Sequence, residues 1–166
     1  MGIECAFITV PGHIFVAFAL DTKPSEIHRS FSNLDDLIIA NERVWVPVEV
    51  TVRKDGFVRA WSEAARQWRE EKRRASAALI PIHEAWTEYE PVGLGADKLD
   101  IQMPTDDQIL AAFTQESDRL LNRELGPKIA LIEEELRKNQ GTPSLRNKLG
   151  VLYAQCGKMD LAKNNL

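Results

Sequence analysis

The first ninety residues alternate between short apolar runs and polar breaks, a pattern typical of a β-sheet. Residues 3–10 and 13–20 are rich in β-branched and aromatic side chains and meet at Pro11-Gly12, which predicts two strands joined by a tight turn. Both faces of the second run are mostly apolar, so we expect it to be a central strand that is covered on both sides. His13 opens that strand.

A second strand pair is predicted after a polar loop. Residues 21–35 are polar and contain a proline, which indicates a loop with one helical turn. Residues 37–40 and 43–50 then flank Asn41-Glu42, a two-residue connection that suits a β-hairpin. In the second of these strands the valines at alternate positions form one face, which we assign to the core. The opposite face carries Trp45, Pro47, Glu49 and Thr51.

Helical periodicity begins at Phe57. Apolar residues recur at helical spacing over residues 57–79, which predicts a long amphipathic helix packed on the sheet. Its apolar stripe consists of Phe57, Trp61, Ala64, Ala65, Trp68 and Ala75. Residues 80–92 lose this period, so we expect an extended segment laid against the sheet. His83 and Glu84 lie in that segment, and adjacent strand residues face opposite ways, so they do not form a pair.

The C-terminal third has a helical pattern throughout. Residues 105–108, Thr-Asp-Asp-Gln, form a capping box that predicts a helix to about residue 117. A second helix is predicted over residues 117–139, broken or bent at Gly126-Pro127. A last helix pair follows the Gly-Thr-Pro at residues 141–143.

Together these elements predict an α+β protein in two parts. Residues 1–92 form an antiparallel sheet packed on a long helix. Residues 93–104, which contain two glycines and a proline, form a linker. Residues 105–166 form a separate helical region.

Composition and charge exclude several classes of partner. The 166 residues carry 25 acidic and 21 basic side chains, a net charge of −4, so no global basic field favours nucleic acid. No apolar run approaches the roughly 20 residues that cross a bilayer. We therefore expect neither a nucleic-acid partner nor a membrane span. Cys5 and Cys156 are far apart, and we expect reduced, largely buried thiols rather than a disulfide.

His13 and Glu49 are the candidate chemistry. If their strands pair, an imidazole and a carboxylate meet on one sheet, which is the arrangement that holds a catalytic histidine in one tautomer. A histidine bonded to a neighbouring acid is also common in cores, so the residues alone leave both interpretations open. Cys5, His13 and Glu49 are residue types that bind metal ions. No two of them are close together in the sequence, as the ligands of a metal site often are, so we do not predict a metal site. We expect no metal and no cofactor.

Two motifs resemble a known family. Residues 12–15, Gly-His-Ile-Phe, and residues 45–51, Trp-Val-Pro-Val-Glu-Val-Thr, resemble the histidine and acid motifs of transglutaminase-like domains, which belong to the papain-like cysteine superfamily. The resemblance covers roughly residues 2–60. It implies a papain-like core, His13 as general base, Glu49 as the acid that orients it, and an amide or peptide substrate. The family's acid is usually aspartate. Trp45, beside the acid, is expected to wall the site and limit water.

The family's nucleophile is a cysteine at the start of a helix that precedes these strands. The resemblance therefore implies a thiol upstream of Met1, and a chain that is the latter half of a thiol hydrolase or acyltransferase and inactive alone. Cys5 lies in a predicted strand, where it lacks the helix dipole that lowers a thiol pKa, so we expect a core residue. The missing helix leaves an apolar sheet face, which is expected to bind a protein, a peptide or a second copy.

The alternative is a non-catalytic scaffold. Residues 147–162 resemble one tetratricopeptide repeat, with small and aromatic residues at its helix-pairing positions. One repeat buries its face only against a neighbour, so we expect truncation at this end too. In this hypothesis the helical region binds protein partners, and the pair of His13 and Glu49, here called the dyad, is structural.

Overall fold

The computed structural model describes residues 2–92, 102–138 and 142–165. The chain divides into two compact units, Met1–Pro104 and Thr105–Leu166. The class is α+β, as predicted, with a five-stranded antiparallel sheet and several helices. Most of the predicted linker, residues 93–101, lies outside the described residues. Among the described helices, none is both long enough and apolar enough to cross a membrane.

The sheet has the strand order β3-β4-β2-β1-β5. The strands are β1 (Cys5–Val10), β2 (His13–Leu20), β3 (Ile38–Ala40), β4 (Arg43–Val48) and β5 (Ala78–Pro81). β2 is the central strand, as its apolar pattern predicts. The predicted loop before β3 contains two 3₁₀ turns, Ile27–Arg29 and Leu34–Asp36, where one helical turn was expected.

Two tight turns set the register of the strands. Gly12 has a φ of 72° between β1 and β2, which lets Val10 pair directly with His13. Asn41 and Glu42 have φ values of 52° and 58°, the left-handed pair that a type I′ hairpin needs. Both predicted hairpins are confirmed.

Helix α1 (Phe57–Arg73) packs on the sheet through its apolar stripe. The buried cluster of this unit consists of Ala6, Ile8, Phe15, Ala17, Ile38, Trp45, Ala64 and Trp68. The valine face of β4 is buried at Val44 and Val46, as predicted. Trp45 and Glu49 on the opposite face are buried too, so both faces of β4 contribute buried residues. On β2 we expected both faces to be covered. The face that carries Ile14 is only partly covered, because Ile14 is 60% exposed.

Helix α1 ends earlier than its sequence pattern predicts. It stops at Arg73 because Ala75 is left-handed and the Ser76 hydroxyl donates to the Glu71 carbonyl at 3.1 Å. The residues that follow form β5 against β1 instead of continuing the helix. The segment predicted as extended contains helix α2 (Ile82–Glu88), which begins after Pro81. The pyrrolidine ring fixes φ before the first helical turn, and seven residues are too few to show a period.

The second unit contains α3 (Asp106–Lys138), α4 (Pro143–Gln155) and α5 (Met159–Lys163). The capping box forms as predicted: the Thr105 N–H donates to Gln108 Oε1 at 2.9 Å, and the Gln108 N–H to Thr105 Oγ1 at 3.3 Å. The predicted boundary at residue 117 and break at Gly126-Pro127 are wrong, since α3 runs through both. Strong helix formers on either side outweigh the hydrogen bond that one proline removes.

A small apolar cluster holds the second unit together. It consists of Ile129, Leu149, Tyr153 and Ala162. The Tyr153 hydroxyl donates to the Glu133 carboxylate. This hydrogen bond, together with burial, raises the pKa of Tyr153 to about 12.

Candidate functional site

The strand topology brings His13 and Glu49 together. His13 is the first residue of β2, and Glu49 follows directly after the last residue of β4. The two strands are antiparallel, so the beginning of one lies beside the end of the other. The register pairs Val16 with Val48, and alternation from that pair puts His13 and Glu49 on one face. The predicted contact is present, and its catalytic role stays a prediction.

The two side chains form a short hydrogen bond. His13 Nε2 lies 2.5 Å from Glu49 Oε2. The glutamate side chain is 1% exposed, whereas that of the histidine is 36% exposed. The other carboxylate oxygen, Oε1, accepts the Thr51 backbone N–H at 3.0 Å and the Thr51 hydroxyl at 2.6 Å. Thr51 therefore fixes the carboxylate through one oxygen, and the imidazole binds the other.

Helix α1 also contacts the pair. Gln67 Nε2 lies 3.5 Å from Glu49 Oε2 and 3.1 Å from Glu63 Oε1. The backbone N–H of Glu49 donates to the Ala60 carbonyl at 3.1 Å. The position of the carboxylate is thus tied to the position of the helix.

The hydrogen bonds keep Glu49 ionised. Burial raises the pKa of its carboxyl, but the hydrogen bonds from Thr51 and His13 lower it by more, so the pKa lies below the ordinary glutamate value. Because the charged Glu49 carboxylate can only accept a hydrogen bond and lies 2.5 Å from Nε2, we place a ring proton of His13 on that nitrogen. In the neutral ring Nδ1 then carries the lone pair, and the ring is partly exposed.

Cys5 is not placed to act with His13. It pairs with Phe18 at the far end of the β1–β2 hairpin, whereas His13 pairs with Val10. Five strand positions correspond to about 16 Å, and alternation turns Cys5 to the opposite sheet face. Its Sγ contacts the Ile3 carbonyl at 3.6 Å. It is a half-buried free thiol, as is Cys156 at the end of α4 in the other unit.

Trp45 lies in the hydrophobic core. It is 0% exposed, and its indole N–H donates to the Ala40 carbonyl at 3.2 Å. Four positions along the chain, about 13 Å by strand rise, separate it from Glu49. The structure therefore places Trp45 among the core residues, and its role as a wall of the site stays a prediction.

His28 and His83 are both exposed.

Thr51 and Gln67 are two contacts of Glu49 for which the sequence predicts no role. Thr51 could have been found, because it follows the acid by two residues and so shares its face in an extended chain. Gln67 gave no such signal, since its approach to Glu49 depends on how α1 packs. In the part of the chain that the structure describes, no three His, Cys, Asp or Glu side chains are grouped to hold a metal ion.

Comparison with protein-family models finds no match, and comparisons with curated proteins and with solved structures find no significant one. The resemblance to transglutaminase-like domains therefore stays a prediction that rests on residues 12–15 and 45–51.

Proposed function

We propose that residues 2–92 carry the histidine–acid part of a thiol-dependent acyl-transfer site for an amide or peptide substrate. The observation that carries the proposal is the 2.5 Å contact between His13 and a buried, ionised Glu49. An imidazole held in one tautomer by a fixed carboxylate suits a general base. The order of the two motifs resembles that of transglutaminase-like domains and supports the same class.

In this proposal His13 moves a proton between the nucleophile and the leaving group. Nδ1 takes the proton of a cysteine thiol, and the thiolate attacks the carbonyl carbon of the substrate. The imidazolium then gives that proton to the departing amine, and water hydrolyses the thioester. Glu49 compensates the charge of the imidazolium, and Thr51 holds Glu49 in place. The position of Cys5 excludes it as this thiol, and the family resemblance implies a cysteine on a helix ahead of β1.

A chemical complementation assay tests the dyad in the chain as it stands. 2-Mercaptoethanol is supplied as the thiol and p-nitrophenyl acetate as the acyl donor, and release of p-nitrophenolate is followed. We expect a rate that rises with protein concentration above that of the thiol alone. His13→Ala should remove that increase, and Glu49→Gln should lower it by about tenfold or more.

His28→Ala is the matched control. Free imidazole cleaves activated esters, and His28 is an exposed histidine of the same unit. Its removal should leave the protein-dependent rate unchanged. Equal rates in the His13→Ala and His28→Ala variants would contradict a general-base role for His13.

The encoded sequence ahead of residue 1 discriminates between the two candidate functions. A cysteine that opens an amphipathic helix shortly upstream supports the enzyme. A sequence without one supports the non-catalytic scaffold.

The scaffold is the second candidate because the second unit exposes large apolar side chains. Leu110, Phe113 and Leu131 of α3 are 64%, 69% and 66% exposed. Apolar exposure of this extent on one helix is typical of a surface that contacts another protein.

A further inference from the structure

Helices α3 and α4 enclose an apolar groove with a basic rim. The groove has a volume of about 530 Å³. Its apolar floor includes Leu131 and Val151, which are 66% and 48% exposed. Lys128 and Lys148 line its rim. Neither lysine has an ion-pair partner among the described residues. The groove therefore offers apolar surface beside two free positive charges.

The first turns of α3 carry the complementary surface. Ile109, Leu110 and Phe113 are 51%, 64% and 69% exposed. Asp106 and Asp107 lie in the turn before them, and neither forms an ion pair in the described part of the chain. Spacings of three, four and seven residues put Asp106 on the same face as the three apolar side chains. We call these five residues the acidic stripe.

One copy of the chain cannot place its own stripe in its own groove. Helix α3 is continuous from Asp106 to Lys138, and the groove includes residues of that same helix. Phe113 and Leu131 are 18 positions apart, which is about 27 Å along the helix axis. A bend at Pro127 does not fold the helix back on itself.

We propose that the chain associates head to tail, with the acidic stripe of one copy lying in the groove of the next. Burial of the apolar side chains drives the contact, and the two aspartates face Lys128 and Lys148. The contact uses two different surfaces, so it extends to rings or open chains. A single helix in a short groove buries a small area, so we expect weak association that salt reduces. This inference is independent of the acyl-transfer proposal, and it specifies a partner for the scaffold alternative.

Two single variants and their mixture test the head-to-tail geometry. Phe113→Glu removes the stripe and keeps the groove, whereas Leu131→Glu removes the groove and keeps the stripe. Both side chains are exposed, so both variants should fold, which far-UV circular dichroism checks. In sedimentation velocity we expect the parent chain to grow in mass with concentration and each variant to stay monomeric. An equimolar mixture should form a dimer and nothing larger, because one functional surface remains on each variant.

Charge reversal tests the aspartate–lysine contacts. Lys128→Glu with Lys148→Glu should abolish association, and adding Asp106→Lys and Asp107→Lys to the same chain should restore it. Lys163→Glu, an exposed lysine on α5, is the control that leaves association unchanged.

A parent chain that stays monomeric at every concentration overturns the proposal. So does a mixture of the Phe113 and Leu131 variants that stays monomeric while the parent associates, because the two side chains then do not lie on two complementary surfaces. Single variants that associate like the parent also overturn it, because the contact then uses another surface, such as the sheet face around Ile14. None of these outcomes bears on the dyad, whose assay uses the other unit.

Discussion

Glu49 is the residue on which the electrostatics of the candidate site depend. A carboxylate that is 1% exposed loses most of its hydration, and an unpaired charge there would cost several kcal/mol. Two donors of Thr51 and the imidazole of His13 replace the lost water. Hydrogen bonds to a charged acceptor contribute about 1.5–3 kcal/mol each, which is enough to keep the group ionised.

The pH dependence of stability should reveal this carboxylate. Its folded pKa lies below the unfolded value of about 4.3, so its contribution is fully present above that value and is lost as pH falls through the folded pKa. Glu49→Gln removes the charged acceptor and should cost about 1–3 kcal/mol at neutral pH. It should also flatten the loss of stability as pH falls below about 4.3 and through the folded pKa of Glu49.

Urea unfolding followed by tryptophan fluorescence measures this effect, because all four tryptophans lie in residues 1–92. Glu88→Gln, an exposed glutamate of α2, is the control and should keep the wild-type slope with pH. Parallel pH profiles for Glu49→Gln and the wild type would contradict the prediction.

Secondary structure could be predicted where the signal is local. The two hairpins and the capping box each depend on a few adjacent residues, and the structure has them in place. β5 could not be predicted, because four residues become a strand only by pairing with β1. The end of α1 depends on Ala75, which adopts a left-handed conformation. An alanine in the sequence does not predict this conformation, because alanine rarely adopts it. At the site, alternation predicted that His13 meets Glu49, but the approach of Gln67 needed the packing of a distant helix.

Gly126→Ala should change the stability of helix α3 little. Glycine inside a helix loses more backbone entropy than alanine, and apart from its chain neighbours a Cβ at this position meets nothing within 4 Å. The residue that follows is Pro127, whose Cδ disfavours the helical conformation of a preceding residue that has a Cβ. The two effects oppose each other, so we expect a change within about 0.5 kcal/mol, measured by urea unfolding at the helical circular dichroism signal.

Gly157→Ala is the matched comparison. Its Cβ would also meet open space, but the φ of this residue is +70°. The substitution should therefore destabilise the second unit by about 1–2 kcal/mol. Equal effects of the two substitutions would show that space, rather than backbone conformation, decides the outcome.

At the scale of the whole molecule, each compact unit has its own buried cluster. We expect the units to unfold in separate transitions, since a domain with its own core unfolds as a unit. Tryptophan fluorescence follows the first unit, and helical circular dichroism mainly follows α3, α4 and α5. This division was partly predictable from the sequence, because residues 93–104 contain two glycines and a proline and precede a region that is helical throughout.

A substitution in one core tests this independence. Leu149→Ala removes a side chain that is 4% exposed from the cluster of the second unit, and should lower its stability by about 2–5 kcal/mol. The midpoint of the fluorescence transition should not move. A shift of both midpoints by the same amount would contradict separate unfolding.

The outermost strands of the sheet are also its shortest. β3 has three residues and β5 has four, and Pro47 supplies no N–H where β4 extends past β3. The sheet margins therefore offer little template for a strand of another chain, and fibril-like stacking is disfavoured. Copies of this chain should therefore associate through side-chain contacts. Such association is reversible and depends on concentration, unlike a β-sheet that extends from chain to chain.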